Sequence, residues 1–449
     1  MSDTPLPRGG ARRWTPARYR ALLRAQGPRS VRFRTRLAIL TGAVAIGLAA
    51  TIFARAADAA AKVFGGYAAR HPWAPLVTTP LLFAGLVWLT RRYVPLARGS
   101  GIPQVIAAQA DPERGTRSLV SMRTVIGKAL LTLVAVLGGA SVGREGSTVQ
   151  IAAAVMGLSH RLLRVPLRGA VLIAGGAAGV AAAFNTPLAG LLFAIEELAS
   201  AYEQKVTLLV IAAIVIAGMV AQSVQGDYVY FGLIGAHMPL VSALVAVPLA
   251  GVIGGIVGGL FSRLVLTLAT GTHRVTRWTK RQPIWFATAC GGIVGALGVA
   301  TGMTWGTGYG AARAMIAGVD APLWFGPAKF VATLATAVAG LPGGIFAPSL
   351  AVGAGLGNLL HALLPGSPAS AIVILGMVGY FAGVVRAPLT AVIILSETTV
   401  SRGLMLPMFA TAFIADGISQ LVCREKLYHG LSRTFALPAR DAPGASPPA

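Results

Sequence analysis

Long apolar runs dominate the chain, and glycine or proline interrupts most of them more often than charge does. Residues 37–57 and 74–90 can each cross a bilayer as a helix, which takes about 20 residues. Further apolar segments follow near 125–142, 149–158, 169–195, 206–222, 239–272, 284–303, 327–341, 345–364, 370–396 and 403–423. Many are too short or glycine-rich for simple spans, so the pattern predicts an all-α polytopic membrane protein with tilted and broken helices.

Composition agrees with a membrane protein. Of the 449 residues, 55% are hydrophobic and 12% charged, and mean hydropathy is +0.71. The net charge is +24 because only 14 residues are acidic. The basic residues lie in the tails and short loops, which fits cytoplasmic loops and anionic lipid headgroups and argues against nucleic acid as a partner. Cys290 and Cys423 stand in apolar surroundings without metal-like spacing and are interpreted as core thiols.

Charge divides the chain into segments. Residues 1–36 carry ten arginines and one acid, Asp3, which predicts a basic cytoplasmic N-terminal segment. Residues 37–436 form the predicted transmembrane domain, with two repeats at about 37–225 and 239–423. A basic stretch at 272–282 is expected to be a loop, and the Pro-, Ala- and Gly-rich residues 437–449 a disordered tail.

A charged pair, Arg144 and Glu145, stands between two apolar runs within Gly143-Arg144-Glu145-Gly146-Ser147. Charges at membrane depth usually face a cavity or a partner. If a helix begins here, its free amides and its dipole attract an anion, and Glu145 is itself an anion beside them. We interpret Glu145 as a competitor of a transported anion that leaves when protonated. The alternative is an ordinary interfacial ion pair in a loop, and both remain open on this stretch alone.

A second candidate loop precedes Pro103, which suits the first turn of a helix. Ser100 lies just before that start, in Gly99-Ser100-Gly101-Ile102-Pro103. Its hydroxyl either caps the helix or donates to an ion inside the protein. Both roles are compatible if the helix begins at membrane depth.

The chain contains an internal repeat. An offset of 201 positions, which takes Lys128 to Lys329, holds without a gap between residues 128–196 and 329–397. The scarce residue types Lys, His, Pro and Glu keep this register in the following pairs: Lys128 and Lys329, His160 and His361, Pro187 and Pro388, Glu196 and Glu397. Repeats in a membrane chain indicate two halves packed across a central site. The matched broken helices place that site between 143–147 and 344–348, and we expect the repeats to be inverted.

These motifs resemble those of the CLC family of chloride channels and proton-coupled chloride antiporters. The family's GSGIP, GREGP and GxFxP stretches are matched by residues 99–103, 143–147 and 344–348, and its late tyrosine by Tyr428. Residues 184–190, followed by Glu196 and Glu197, are similar to bacterial members. The resemblance covers nearly the whole chain after the basic tail.

The resemblance implies a CLC-type inverted repeat of many tilted and broken helices, assembled as a homodimer with a separate pore in each subunit. It implies a central chloride site with hydroxyl donors Ser100 and Tyr428 and backbone amides of Ile345 and Phe346. It implies an outer site at the amides around Arg144 to Ser147, occupied by the Glu145 carboxylate when deprotonated. Gly101 and Gly146 belong to the same two anion-binding loops, and Glu197 becomes the inner proton acceptor.

Two positions depart from the family pattern. Ser147 replaces the proline of GREGP, and because proline has no N–H, serine adds a donor near the outer site. Fluoride-transporting relatives also vary at that proline but typically lose the serine of GSGIP, whereas Ser100 is present. Gln104 stands where relatives have glutamate, and we expect a mild effect.

Several candidates have structural alternatives. Tyr428 alone could be an interfacial aromatic anchor, and Glu197 a helix-end acid paired with a basic loop residue. The repeat equates Glu196 with Glu397, which suggests an architectural pair, while Glu197 has no acidic counterpart. Two further repeat pairs are ambiguous or structural. The lysine pair either caps loops or raises the potential near the pore, and the histidine pair is interpreted as packing.

The predicted function is a proton-coupled chloride antiporter in which Glu145 gates the pore and Glu197 accepts the inner proton. Alternatives are a passive voltage- or pH-gated chloride channel of the same fold, or a fluoride/proton antiporter. We expect no enzyme activity, since no hydrolase motif is recognisable. We also expect no cofactor, with chloride as the transported ligand. The expected partners are chloride, protons, membrane lipids and a second copy, without nucleic acid. The expected location is a bacterial inner membrane, with multiple passes and a cytoplasmic N-terminus.

Overall fold

Helices account for nearly all regular structure in the protein. The computed structural model describes residues 28–198, 208–226, 231–232, 238–271, 274–319, 321–399 and 403–436. Within these ranges there are nineteen α-helices, a π-helical turn and two short 3-10 turns, and β-pairing is limited to one isolated bridge. The predicted all-α class is confirmed for this part of the chain.

The first half contains nine helices. They are α1 (Pro28–Arg70), α2 (Pro75–Tyr93), α3 (Ile102–Ala108), α4 (Pro112–Arg117), α5 (Met122–Leu137), α6 (Glu145–Leu162), α7 (Gly169–Phe184), α8 (Pro187–Phe193) and α9 (Leu208–Gln225). A 3-10 turn, Pro95–Ala97, precedes α3, and the π-helical turn Ala194–Leu198 continues α8.

The second half contains ten helices. They are α10 (Leu240–Thr270), α11 (Arg274–Arg281), α12 (Pro283–Thr301), α13 (Tyr309–Ile316), α14 (Phe325–Val338), α15 (Phe346–Leu363), α16 (Ala369–Val385), α17 (Pro388–Thr399), α18 (Met405–Val422) and α19 (Leu427–Ser432). A 3-10 turn, Arg433–Phe435, ends the described chain.

The two halves repeat one arrangement. Helices α6 and α15 are both 18 residues long and start at equivalent positions in the 201-residue register. Helices α2 and α12 are both 19 residues long and pack against each other. Long apolar runs in both halves break at a left-handed residue, Asn185 after α7 and its equivalent Arg386 after α16. The repeat therefore extends beyond the gap-free sequence register, to α2 and α12.

Reciprocal contacts join the halves about a local two-fold relation. Gly143 and Gly344 form an antiparallel bridge in which each N–H donates to the other's carbonyl at 2.7 Å. Glu196 accepts from the N–H groups of Leu389 and Thr390 at 2.9 and 2.7 Å. Glu397 in turn accepts from the N–H groups at the start of α8, at 3.4 and 3.0 Å. Each acid thus caps the other half's helix, which agrees with the architectural interpretation of this pair and with an inverted repeat.

Five helices of the described part are long and apolar enough to cross a membrane: α1, α10, α12, α15 and α18. Several others, such as α7 and α16, are apolar but shorter. Helices α7 and α16 are buried along most of their length and form the centre of each half. The chain is an integral multi-pass membrane protein built from full-length and short helices together.

Two expectations from the sequence need correction or restriction. The basic stretch 272–282 was expected to be a loop, but residues Arg274–Arg281 form helix α11, because nothing in that run breaks a helix before Gln282 and Pro283. Helix α1 begins at Pro28, inside the segment assigned to the basic tail. Residues 1–27 and the predicted disordered tail at 437–449 lie outside the described part.

Candidate anion and proton site

The site forms where the starts of α6 and α15 meet at the Gly143–Gly344 bridge. Gly146 lies in the contact, because a Cβ on Gly344 would meet its backbone nitrogen at 2.7 Å. A Cβ on Gly146 itself would meet the hydroxyl oxygen of Ser100, and one on Gly101 the carbonyl of Gly146. The three predicted loops therefore converge, and glycine lets their backbones approach closely.

The Glu145 carboxylate lies at this junction and is fully buried. The hydroxyl of Tyr309, at the start of α13, donates to its Oε1 at 2.9 Å. The backbone N–H groups of Ala347 and of Glu145 itself also face the carboxylate. Because the first turn of a helix leaves its N–H groups without intrahelical partners, a negative group is favoured at this place. A side chain of the first half thus occupies an anion position at the start of α15.

The Arg144 side chain turns to helix α1. Its Nη1 lies 2.6 Å from Oδ1 of Asp58 and donates to the carbonyl of Ala54 at 2.7 Å. Arg144 is almost fully buried, whereas the Asp58 side chain is 64% exposed, so the pair connects the loop to the protein surface. The positive charge of Arg144 also acts on the nearby Glu145 carboxylate, although its guanidinium is paired with Asp58.

Two buried hydroxyls, those of Ser100 and Tyr428, lie near Gly146 and away from the Glu145 carboxylate. Ser100 and Tyr428 face each other, and neither hydroxyl has a hydrogen-bond partner of good geometry in the described part of the chain. The N-cap of α3 is Gly101, without a side-chain cap, so the capping alternative for Ser100 does not apply. Buried polar groups normally have partners, and two donors without a protein partner at one place suit the binding of an anion.

The central residues line one cavity. Ser100, Ile345 and Tyr428 contribute to a cavity of about 210 Å³ that Arg98 and Lys280 also line. The Phe346 ring packs against Tyr428 with centroids 5.9 Å apart. Helix α15 begins at Phe346, so the backbone amides of this turn are available at the helix start. The second half places backbone N–H groups and the Tyr428 hydroxyl here, and the first half places the Ser100 hydroxyl.

Glu197 lies apart from this junction, in the π-helical turn after α8, and is fully buried. Two basic residues around α19 face it. His429 places Nδ1 3.3 Å from Oε1, and Lys426 places Nζ 3.8 Å from Oε2. Because Tyr428 precedes His429 in α19, this short helix contacts both the central cavity and the second acid.

The Ser147 hydroxyl already has a partner. It lies 3.0 Å from the Thr132 hydroxyl on α5, and both residues are fully buried. In the second half the equivalent position is Pro348, and Thr333 instead pairs with Ser141 at 2.9 Å. What Ser147 adds to the outer site is therefore its backbone N–H in the first helical turn, since its hydroxyl is held elsewhere.

Each buried lysine holds a loop of its own half. Lys128 donates from Nζ to the carbonyls of Ala97 and Gly99 at 3.0 and 2.6 Å. Lys329 donates to the carbonyls of Thr304 and Gly306 at 2.9 and 2.7 Å. The first loop leads to Ser100 and the second to Tyr309. Both lysines are fully buried and act as caps of these loops.

The sequence interpretation missed Tyr309, Asp58 and the role of His429. A signal for Tyr309 existed: Gly306 and Gly308 repeat Gly99 and Gly101 at an offset of 207, and all four glycines have positive φ. The gap-free register of 201 does not show this match. Asp58 stands inside a long apolar helix, where a lone acid calls for a partner.

Comparison with known proteins agrees with this geometry. A family model described as "Voltage gated chloride channel" matches residues 81–420. A slow cyanobacterial Cl⁻/H⁺ antiporter superposes with a TM-score of 0.77 at 24% identity, over 90% of this chain and 98% of the other. A CLC-type fluoride/proton antiporter gives 0.74 at 22% identity, over 89% and 97%. A eukaryotic CLC transporter gives 0.72 at 23% identity, over 90% of this chain and 76% of the other.

Identities at this level show a shared fold and leave the transported ion open. The family model, in contrast, covers most of the chain, including all three glycine-rich loops, and ends before Tyr428. The predicted family is confirmed, and the chain belongs to the CLC family.

Proposed function

We propose that the chain is a proton-coupled chloride antiporter, with Glu145 as the gating and outer proton-exchanging acid and Glu197 as the inner proton acceptor. The single observation that carries the proposal is the position of the Glu145 carboxylate. It is fully buried at the start of α15, between the Tyr309 hydroxyl and backbone N–H groups. A carboxylate in an anion position must leave before a chloride ion can enter, and protonation removes the charge that holds it there.

Chloride would be held mainly by donors without full charge. Ser100 and Tyr428 supply hydroxyls without other partners, and Ile345 and Phe346 supply the first amides of α15. Sites of this kind bind an ion firmly enough for entry and weakly enough for release. Arg98 and Lys280 line the same cavity and would raise the local chloride concentration.

A second buried acid supports coupling over simple conduction. Glu197 lies beside α19, the helix that supplies Tyr428, yet its carboxylate faces His429 and Lys426. The proton path would therefore leave the chloride path on the inner side and join it at Glu145. A passive channel has no need of an acid at this position, and family channels generally lack it.

A fluoride/proton antiporter is the second candidate, since one structural neighbour transports fluoride and Ser147 replaces a proline. The Thr132 contact favours chloride over this alternative, because it removes the Ser147 hydroxyl from the site. The free hydroxyl of Ser100 also favours chloride.

The test is ion flux in vesicles that contain the purified protein. Glu145→Gln should abolish proton uptake driven by a chloride gradient and leave chloride flux intact, because glutamine remains uncharged and cannot carry a proton. Glu113→Gln, at an exposed acid, is the matched control and should behave as the wild type. Proton uptake that survives Glu145→Gln would show that the assignment is wrong.

Reversal potentials under crossed chloride and pH gradients separate the alternatives. An antiporter reverses at a potential set by both gradients, whereas a channel follows the chloride gradient alone. Replacing chloride with fluoride in the same measurement ranks the two anions. We expect the chain to assemble as a homodimer in a bacterial plasma membrane with a cytoplasmic N-terminus, which cross-linking and protease accessibility would test.

A further inference from the structure

The proposed inner acid has no contact with water of its own. Glu197 has no exposed surface, its π-helical turn packs against α7, and residues at the start of α19 face its carboxylate. A carboxylate in this position cannot collect protons directly from bulk solvent. A neighbouring group that touches both solvent and the carboxylate is needed.

His429 meets that requirement by its geometry. Its Nδ1 is buried and lies 3.3 Å from Oε1 of Glu197, which is ion-pair distance without the angles of a hydrogen bond. Its side chain is nevertheless 33% exposed, so the exposed surface belongs to its other atoms. The imidazole therefore extends from the surface to the buried acid, with a nitrogen at its inner end.

Lys426 is less suited to the same task. Its Nζ lies 3.8 Å from Oε2 of Glu197 and also donates to the carbonyl of Glu196 at 3.2 Å. An ammonium group keeps its proton at neutral pH, whereas imidazole commonly gains and loses one between pH 5 and 8. Lys426 is a positioning residue that holds the turn and favours the ionised form of Glu197.

We propose that His429 is the residue through which protons enter and leave the Glu197 site, an inference that rests on the proposed antiport. In the inward step, the neutral ring with its proton on Nδ1 accepts a second proton at Nε2 from hydronium, which becomes water. The imidazolium then gives its Nδ1 proton to Oε1 of the Glu197 carboxylate, which leaves a neutral imidazole protonated at Nε2 and a carboxylic acid. Exchange of the ring proton from Nε2 to Nδ1 through solvent, or rotation of the ring, restores the starting form, and the reverse sequence releases a proton.

The ionisable neighbours of this pair, within the described part of the chain, come from the elements packed against it and from the loop before α19. Helix α19 packs against α3, α10, α16 and the final 3-10 turn, and the turn that holds Glu197 packs against α7. Helices α3 and α7 have no ionisable side chain. The charged or titratable groups on the other elements, on α19 itself and on the preceding loop are Arg263, Tyr380, Cys423, Arg424, Glu425, Tyr428 and Arg433, with Glu196 beside Glu197. The ion-pair partners within 4 Å of the Glu197 carboxylate in this part of the chain are His429 and Lys426.

The experiment compares proton and chloride flux in vesicles for His429→Gln, with His361→Gln as the matched control at a histidine remote from the site. His429→Gln should reduce proton flux by about 100-fold, in the range expected for a positioned proton-transfer group, while chloride flux changes little. The reversal potential should move towards the equilibrium potential that the chloride gradient alone would set. His361→Gln should match the wild type.

A second variant distinguishes a relay from a structural role. In His429→Ala, free imidazole in the buffer on that side should restore proton flux in proportion to its concentration, whereas a purely structural defect would not respond. Methylimidazole blocked at one nitrogen should restore less. In the unaltered protein, proton flux should also respond to pH on the His429 side, and His429→Gln should flatten that response.

The outcomes separate the two proposals. Wild-type proton flux in His429→Gln, combined with its loss in Glu197→Gln, would overturn the role of His429 and leave the antiport intact. A wild-type protein that moves no protons would overturn the antiport, and the relay with it. Loss of both ion fluxes in His429→Gln, without rescue in His429→Ala, would show that the residue is structural.

Discussion

In both halves of the molecule a buried lysine holds a glycine loop, but the two loops lead to different side chains. In the first half Lys128 holds the loop of positive-φ glycines that leads to Ser100, whose hydroxyl has no partner. In the second half Lys329 holds the equivalent loop, which leads to Tyr309, whose hydroxyl donates to Glu145. The lysine-held loop is repeated in the two halves, whereas the side chain to which it leads differs. The asymmetry that directional transport requires therefore lies in a few side chains on a symmetric frame.

The bridging glycines differ in the same way. A Cβ on Gly344 would meet backbone, the nitrogen of Gly146 at 2.7 Å. A Cβ on Gly143 would meet the end of a side chain, Oε2 of Glu145, besides Ala347 and Pro348 at 3.2 Å. Gly344 therefore lies against rigid backbone of the first half, whereas Gly143 lies against a carboxylate of its own half that can move.

Replacing the lysines should give the largest effect. Lys128→Met and Lys329→Met each leave two carbonyls without their donor, and one unsatisfied buried acceptor costs about 1–3 kcal/mol. Removing the buried amine also removes the cost of burying its charge, which offsets part of this loss. We therefore expect each variant to lose about 2 kcal/mol or more of unfolding free energy. Thermal unfolding in detergent measures this, with exposed Lys62→Met as the control.

The same variants should differ in transport. Lys128→Met should weaken chloride binding, because its loop carries Ser100, whereas Lys329→Met should alter coupling through Tyr309. Unchanged stability together with reduced chloride binding in both variants would contradict the capping role and favour a purely electrostatic one.

Alanine at the bridging glycines comes next. Gly344→Ala forces backbone apart and should cost about 1–3 kcal/mol, as overpacking in a tight core does. Gly143→Ala should cost less and instead displace the Glu145 carboxylate, which raises chloride flux relative to proton flux. Unfolding temperatures and paired flux assays measure both effects. Equal losses of stability in the two variants would contradict the proposed difference between rigid and movable contacts.

Tyr309→Phe keeps the ring and removes one hydrogen bond to Glu145. A hydrogen bond to a charged group contributes about 1.5–3 kcal/mol, so the deprotonated carboxylate should leave about 10- to 150-fold more readily. Chloride turnover at alkaline pH, where the deprotonated carboxylate limits flux, should rise by that factor. Tyr380→Phe, at another fully buried tyrosine, is the control. A fall in turnover would instead identify Tyr309 as a group that helps the carboxylate to move.

Ser147→Pro should have the smallest effect, because Pro348 occupies the equivalent position of α15 without disrupting the helix. Loss of the Thr132 contact should cost about 1 kcal/mol or less. If the extra N–H influences selectivity, fluoride flux should fall relative to chloride flux. Ser147→Ala removes the hydroxyl and keeps the N–H, so an equal shift in that variant would assign the effect to the hydroxyl.

Much of the fold could be predicted because membrane-embedded helices and their breaks are visible as apolar runs and glycines. The repeat register located α6 against α15 and matched Glu196 with Glu397 before any contact was known. The register failed where an insertion shifts the offset from 201 to 207, and Tyr309 was missed for that reason. The basic helix α11 was also misread, since charge is a poor guide to local backbone structure.

The sequence by itself determined the helical membrane class, the duplication and the three glycine-rich loops, because apolar length, rare-residue register and glycine are local properties of the chain. Tertiary structure decided which groups meet. The partner of Glu145 is Tyr309, 164 positions away, and that of Arg144 is Asp58. His429 reaches from the surface to Glu197 only because α19 folds back on the π-helical turn. Such contacts depend on the packing of distant segments, which no local pattern encodes.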